Sequence, residues 1–254
     1  MTGFSATIRP ADLRASEDIL TDEPPPAADE RRAYGPEPLQ FGDLRVPEGD
    51  GPFPLAVVLH GGYWQSTYNL THTGQMCRAL AEQGIATWNV EYRCVGVPGG
   101  GWPAAREDVR LAVELAQSLS HEPVVLVGHS AGGQLALWAG KEAGLPVVAL
   151  APVSDVRDAV ERRGPESAPG RFMAPEDFAE GSPIELLPLG VPQILIHGVE
   201  DETVPHAMSE RYVTAAKGEA ELVSLENTGH FEPIDPQAPQ FEQTVAAIDR
   251  LLQR

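Results

Sequence analysis

The sequence predicts an α/β fold, a mostly parallel sheet with helices on both faces. Three observations carry that expectation. Short apolar runs such as PLAVVL, PVVLV and QILI are continuous rather than alternating, as a strand buried on both faces requires. Segments of helical period stand between them, at spacings wide enough for crossover connections. At 254 residues the chain has the length of a single α/β domain with one large core. In such a sheet, ligand chemistry belongs at the carboxyl ends of the strands.

The elements follow in order. From Glu17 to Pro38 the chain contains PPPAADERRAYGPEP, acidic, proline-rich and aperiodic. Proline fixes φ and lacks a backbone donor, so neither a central strand nor a helix interior belongs there. The segment is read as an extended arm lying on the domain or a loose leader, with an arm over 1–38 and the α/β domain over 39–254. LQFGDLRVP alternates like a half-exposed edge strand. Strands are then expected in PLAVVLHG, IATWNVEY, PVVLVGH, VVALAPV, QILIHG and ELVSLEN, with helices near 71–83, 103–118, 131–143, 207–217 and 240–252. In the second helix, Val109, Ala112, Val113 and Ala116 share one face, away from Arg106, Glu107 and Arg110.

Composition removes whole classes of function. Against 37 acidic residues stand 18 basic ones, a net charge of −19, a field that repels nucleic acid and anionic membranes. No apolar run approaches the roughly 18 residues that span a bilayer, and the opening MTGFSATIRPADLR lacks the apolar core of a signal peptide. A cytoplasmic location is therefore expected. Cys77 and Cys94 fit no metal spacing, and two reduced, buried thiols are favoured over a disulfide. The seven histidines are scattered, without a paired-ligand pattern. Neither metal nor cofactor is expected. A homodimer is left open.

One stretch concentrates chemistry. GHSAGG, Gly128 to Gly133, follows a buried-strand pattern and opens a helical one. In G-x-S-x-G the glycines let strand and helix backbones approach, and the serine sits on a strained turn with its hydroxyl exposed above the sheet. Ser130 is the candidate nucleophile, and the N–H of Ala131 is placed to meet an oxyanion near the positive end of the following helix. A serine hydroxyl needs a base to take its proton. The candidate base is His230 in NTGHFEPID, just after ELVSLEN, and the candidate orienting acid is Asp201 in HGVEDETVP, just after QILI. Glu200 and Asp155 are the rival acids, Asp155 lying one strand too early for the commoner arrangement. Further oxyanion donors are expected at Gly62 and Tyr63 in HGGYW, where Gly61 and Gly62 let the backbone turn. His60 is read as a brace of that loop and Trp64 as packed beneath it. His129 is assigned to structure, and His72, His121, His197 and His206 receive no role.

Together HGGYW, GHSAGG, HGVEDETVP and GHF resemble the α/β-hydrolase fold over residues 39–254. The resemblance implies a serine hydrolase with the triad order Ser130, Asp201, His230. HGGYWQS with the upstream YGPEPLQFGDLRVP is similar to kynurenine formamidases (arylformamidases). HGxxDxxVP and GGGWPAAREDV are closer to bacterial esterases and to prolyl-oligopeptidase-like peptidases, although the chain lacks the β-propeller of those peptidases.

About forty residues separate VVALAPV from QILIHG, too many for a plain loop. The resemblance implies a short cap there, after the sixth strand, over about 154–192. Phe172, Met173 and Phe178 either line an apolar pocket or form the cap's own small core. Arg162, Arg163 and Arg171 are read as solvated surface, with attraction of an acidic substrate as the alternative. The leading expectation is an esterase cleaving small carboxylic esters through an acyl-enzyme. The alternatives are an arylformamidase acting on N-formylkynurenine, a peptidase, and a catalytically silent binding protein of the same fold. The expected partner is a small ester or amide substrate.

Overall fold

The computed structural model describes residues 25–120 and 122–253. Eight strands form one sheet: β1 (Glu30–Ala33), β2 (Phe41–Arg45), β3 (Leu55–Leu59), β4 (Ala86–Val90), β5 (Val124–His129), β6 (Val147–Leu150), β7 (Gln193–Gly198) and β8 (Ala220–Leu225). Their spatial order is β1-β2-β4-β3-β5-β6-β7-β8. From β4 to β8 every neighbouring pair is parallel, and β1 and β2 run antiparallel. The connecting helices are α1 (Gly74–Glu82), α2 (Trp102–Leu119), α3 (Ala131–Ala143), α4 (Val156–Arg163), α5 (Ala168–Phe172), α6 (Phe178–Gly181), α7 (His206–Ala216) and α8 (Phe241–Leu252).

The strict period of two in a strand explains the two cores. Along β3, Val57 and Leu59 turn to one face, packing with α2, α3 and α7 through Val109, Leu135 and Tyr212. Ala56 and Val58 turn to the other, meeting α1 and α8 through Met76, Leu80 and Ile248. Both faces are covered, so the continuous VVLV and ILI runs are buried, save that Val124 at the start of β5 is half-buried. Cys77 and Cys94 are free and buried. Among the described residues, no helix is long and apolar enough to cross a membrane.

The sheet corrects the expected edge. LQFGDLRVP does yield β2, but β2 lies inside, between β1 and β4. The outer strand comes from the proline-rich segment: Glu30–Ala33 pairs with β2 from Phe41 to Leu44, so the sheet begins ahead of residue 39. Its sequence ERRA has no apolar period to betray a strand. Those charges suit an edge, where they discourage pairing with a further chain. Asp43 on β2 takes Arg31 in a two-pronged ion pair, at 2.7 and 3.0 Å. The rest of the expected arm, residues 1–24, lies outside the described residues.

Between β6 and β7 the long insertion forms α4, α5, α6 and two single 3-10 turns. Each piece is cut short by proline or glycine, as the sequence suggested. Phe172, Met173 and Phe178 are all buried. Phe172 stacks flat on Trp64, with centroids 4.5 Å apart, and meets Trp102 edge-on. These side chains extend the main core rather than line an open pocket.

Candidate active site

β5 ends at His129 and α3 begins at Ala131, leaving Ser130 alone on the bend. Its backbone, φ 55° and ψ −117°, is one that residues with side chains rarely adopt and that surrounding bonds must hold. The Ser130 N–H donates to Leu150 O at 2.8 Å, and its carbonyl accepts from the N–H groups of Gly133 and Val153 at 2.9 and 3.1 Å. Glycine is required on either side. A Cβ at Gly128 would lie 2.1 Å from the carbonyl oxygen of Gly132, and one at Gly132 would lie 2.1 Å from that of Leu59. The Ala131 N–H, first in α3, has no partner inside the helix. HGGYW follows β3 directly, with Gly62, Tyr63 and Trp64 all at positive φ, 107°, 51° and 54°, turning the loop back over the sheet.

Asp201 lies just beyond β7 and His230 just beyond β8. His230 Nδ1 approaches Asp201 Oδ2 at 2.6 Å. A carboxylate only accepts, so Nδ1 carries a proton, and in the neutral ring that tautomer leaves the lone pair on Nε2. Ser130, Asp201 and His230 are all buried, at 2, 8 and 7% exposure. Burial alone would push the Asp201 carboxyl up, but hydrogen bonds from His197 and His230 outweigh it and hold the group well below the usual carboxylate range. The rival acids are engaged elsewhere. Glu200 accepts from the Thr228 N–H at 2.7 Å, and Asp155 caps α4 by accepting from the Asp158 N–H at 3.0 Å.

The loops around these residues are knitted together. His60 sits against Glu91 at 3.2 Å and stacks on Tyr92 at 4.3 Å, so it braces the HGGYW loop as expected. Trp64 is buried under that loop and donates to Gln134 at 3.1 Å. The Tyr63 hydroxyl donates to Thr203 O at 3.1 Å, joining the candidate oxyanion loop to the Asp201 loop. Arg163 lies over the Tyr63 ring at 4.5 Å and bonds both the Tyr63 hydroxyl and Thr203 O. Arg162, by contrast, pairs with Asp158 on α4 itself.

Two further residues at the site went unread in the sequence. His197 contacts Asp201 Oδ2 at 3.1 Å and Ser209 Oγ at 2.7 Å; its spacing four residues ahead of the acid was the available signal. His72 lies 2.7 Å from His129, a contact between segments 57 positions apart that no local pattern announces. His129, expected to be structural, reaches His230: its Nε2 is 2.9 Å from the His230 carbonyl oxygen. His121 lies outside the described residues. An apolar hollow of about 350 Å³ lined by Leu44, Phe53, Leu55 and Trp88 opens at the opposite, amino end of the strands and holds none of the candidate residues.

A doubly covered, mostly parallel sheet with a serine elbow after its central strand is the α/β-hydrolase fold. Residues 43–148 match the family model named BD-FAE. Over 106 residues the chain is 36% identical to a kynurenine formamidase of Meyerozyma guilliermondii, covering 41% of this chain and 39% of that protein. Over 142 residues it is 35% identical to a versiconal hemiacetal acetate esterase of Aspergillus parasiticus, covering 51% of this chain and 42% of that one. The matched stretches thus span about two fifths of each relative. Among solved structures it is similar to Thermogutta terrifontis esterase 2 phosphonylated by sarin, with TM-score 0.73 and 18% identity, covering 91% of this chain and 96% of that one.

Proposed function

We propose that this chain is a serine hydrolase that cleaves small carboxylic esters through an acyl-enzyme. The observation that carries the reading is the Asp201–His230 pair at 2.6 Å, tied through His129 to the strained turn that holds Ser130. In this reading the Ser130 Oγ attacks the ester carbonyl while His230 Nε2 takes its proton. The tetrahedral oxyanion is received by the N–H groups of Ala131, Gly62 and Tyr63. His230 then returns the proton to the departing alkoxide, and afterwards takes one from water as the hydroxide attacks the acyl-enzyme. Asp201 keeps the imidazole in the right tautomer and stabilises the imidazolium. The residues needed are all in the chain, and the mechanism calls on no cofactor. The insertion over 154–192 acts as a short cap, and its proline-broken pieces and buried aromatics support a pocket of modest size.

Two likenesses support the reading. The 35% identity to an acetate esterase points to small acyl groups. Esterase 2 of Thermogutta terrifontis, which shares the fold, is phosphonylated by sarin, the chemistry of an activated nucleophile. The 36% identity to a kynurenine formamidase favours a second reading, hydrolysis of an aryl formamide, in which the formyl group needs almost no acyl pocket.

A fluorophosphonate probe should label the wild type and fail on Ser130→Ala, whose ester turnover should fall by roughly 10⁴–10⁶. Near-wild-type turnover by folded Ser130→Ala would remove the nucleophile assignment. A series of p-nitrophenyl esters should peak at short acyl chains, since each methylene adds about 0.8 kcal/mol only where apolar surface receives it. A higher kcat/KM for N-formylkynurenine than for p-nitrophenyl butyrate would select the formamidase instead.

A further inference from the structure

We propose that His129 is a positioning residue for the catalytic histidine, its Nε2–H holding the backbone carbonyl of His230, and that His72 fixes the tautomer in which His129 does so. The inference rests on the Ser130–His230–Asp201 reading and adds two residues to it.

Asp201 grips the side chain of His230, which sets the rotation of the ring. The position of the loop that carries the ring is a separate matter. His129 is fully buried at the last position of β5, one residue from Ser130, so the central strand of the sheet anchors it. Its Nε2 lies 2.9 Å from His230 O, and its ring stands 4.7 Å from the His230 ring. The residue before the nucleophile therefore holds the residue that takes the nucleophile's proton.

Proton placement makes His72 necessary. A carbonyl only accepts, so His129 Nε2 must carry hydrogen, and a neutral imidazole then has a lone pair at Nδ1. That lone pair faces His72 Nε2 at 2.7 Å, which therefore donates. His72 Nδ1 is left as a buried acceptor with no hydrogen-bond partner. With the protons shifted the other way, His129 would turn a lone pair on the His230 carbonyl and His72 would bury an unpaired donor. Both faults cost more than one unpaired acceptor. Burial and the neighbouring histidines oppose a charged pair. They hold His72 well below its usual value, and burial with His230 nearby lowers His129 to about 3.

The candidate oxyanion loop leaves room for the pair only because Gly61 carries no side chain. A Cβ at Gly61 would lie 2.9 Å from His129 Nδ1 and 3.0 Å from His72 Nε2. Phe231 covers the other side, its ring 5.5 Å from His129 and 6.0 Å from His72.

The test uses two near-isosteric replacements on the full chain. In His129→Gln the amide keeps a donor where Nε2 stood; in His129→Met it is lost. Esterase kcat should fall on the order of 10²-fold in His129→Met, the scale of a 1 Å misplacement, with KM unchanged and most of the loss recovered in His129→Gln. An amide has no tautomer to fix, so His72→Leu should lower kcat in the wild type but cost nothing further in His129→Gln. Equal kcat in His129→Met and His129→Gln, or an equal cost of His72→Leu in both backgrounds, would overturn the proposal. The low-field proton resonance of His230 Nδ1–H reports the same positioning without turnover. It should broaden in His129→Met and stay sharp in His129→Gln, and a resonance unchanged in both would also refute the role. A wild type that no fluorophosphonate labels would sink the hydrolase reading alone and leave this resonance test standing.

Discussion

His197 and His230 meet the same carboxylate oxygen, their Nε2 and Nδ1 atoms lying 3.1 and 2.6 Å from Asp201 Oδ2. The other oxygen, Oδ1, accepts the N–H groups of Thr203 and Val204 at 2.7 and 2.8 Å. Asp201 is thus an acceptor for four donors, its own carboxylate wholly buried. An amide in its place would aim its own N–H₂ at one of those donors. Asp201→Asn is expected to lower ester kcat by roughly 10⁴ through the wrong histidine tautomer. Glu200→Gln and Asp155→Asn should cost far less. A larger loss for Asp155→Asn in the same assay would move the acid one strand back.

His197 holds Asp201 but does not face Ser130. Its Nε2 faces two acceptors, Asp201 Oδ2 and Val204 O, so it donates there and receives the Ser209 hydroxyl at Nδ1. Replacing it with Phe strips a buried carboxylate of one donor, at a cost of about 1–3 kcal/mol in stability. The kcat loss should be smaller than for Asp201→Asn, since three donors remain. Thermal melts and kcat measured side by side check both halves.

Gly198 ends β7 where the His230 loop crosses it. A Cβ there would stand 2.3 Å from the carbonyl oxygens of both Thr228 and Gly229. Gly198→Ala should displace that loop and reduce kcat more steeply than it reduces stability. Gly218→Ala is the control: φ is 101° and no atom lies within 4 Å, so it should lower the melting point and leave kcat unchanged.

Phe172 lies between Trp64 and Trp102 and joins the insertion to the main core. Phe172→Ala should destabilise the fold by about 3–5 kcal/mol. A loss well under about 1 kcal/mol in urea unfolding would mean that the insertion is not packed on the core as described.

The buried histidines predict a stability that declines in acid. Folded His129 resists a proton until pH falls to about 3, whereas the ordinary value is 6.5. Below pH 6.5 the unfolded chain therefore binds the extra proton, and stability falls as pH drops from 6.5 toward 3. Each such group contributes a slope of about 1.4 kcal/mol per pH unit. His72 acts in the same direction. Asp201, held low, contributes stability above the unfolded carboxylate value that disappears only in stronger acid. Urea unfolding between pH 7.5 and 4.5 should be steeper for the wild type than for His129→Gln, by about one proton's slope.

Much of this molecule follows from short-range sequence. The VVLV and ILI runs can be satisfied only by strands buried on both faces, and the helical period between them leaves a parallel sheet as the arrangement. GHSAGG names its own turn, because only glycine tolerates backbone oxygens 2.1 Å from where a Cβ would be. Asp201 and His230 are legible because each follows its own strand, and strands of a parallel sheet end on one side. What only the tertiary structure decided depends on contacts between segments far apart in the chain. ERRA carries no apolar alternation, since an edge strand needs none, so β1 became visible only in its pairing with β2. His72 and His129 are 57 positions apart, and His129 and His230 are 101 apart. Their roles arise from where a buried donor finds an acceptor, and that is fixed when two sheet-end loops fold against each other.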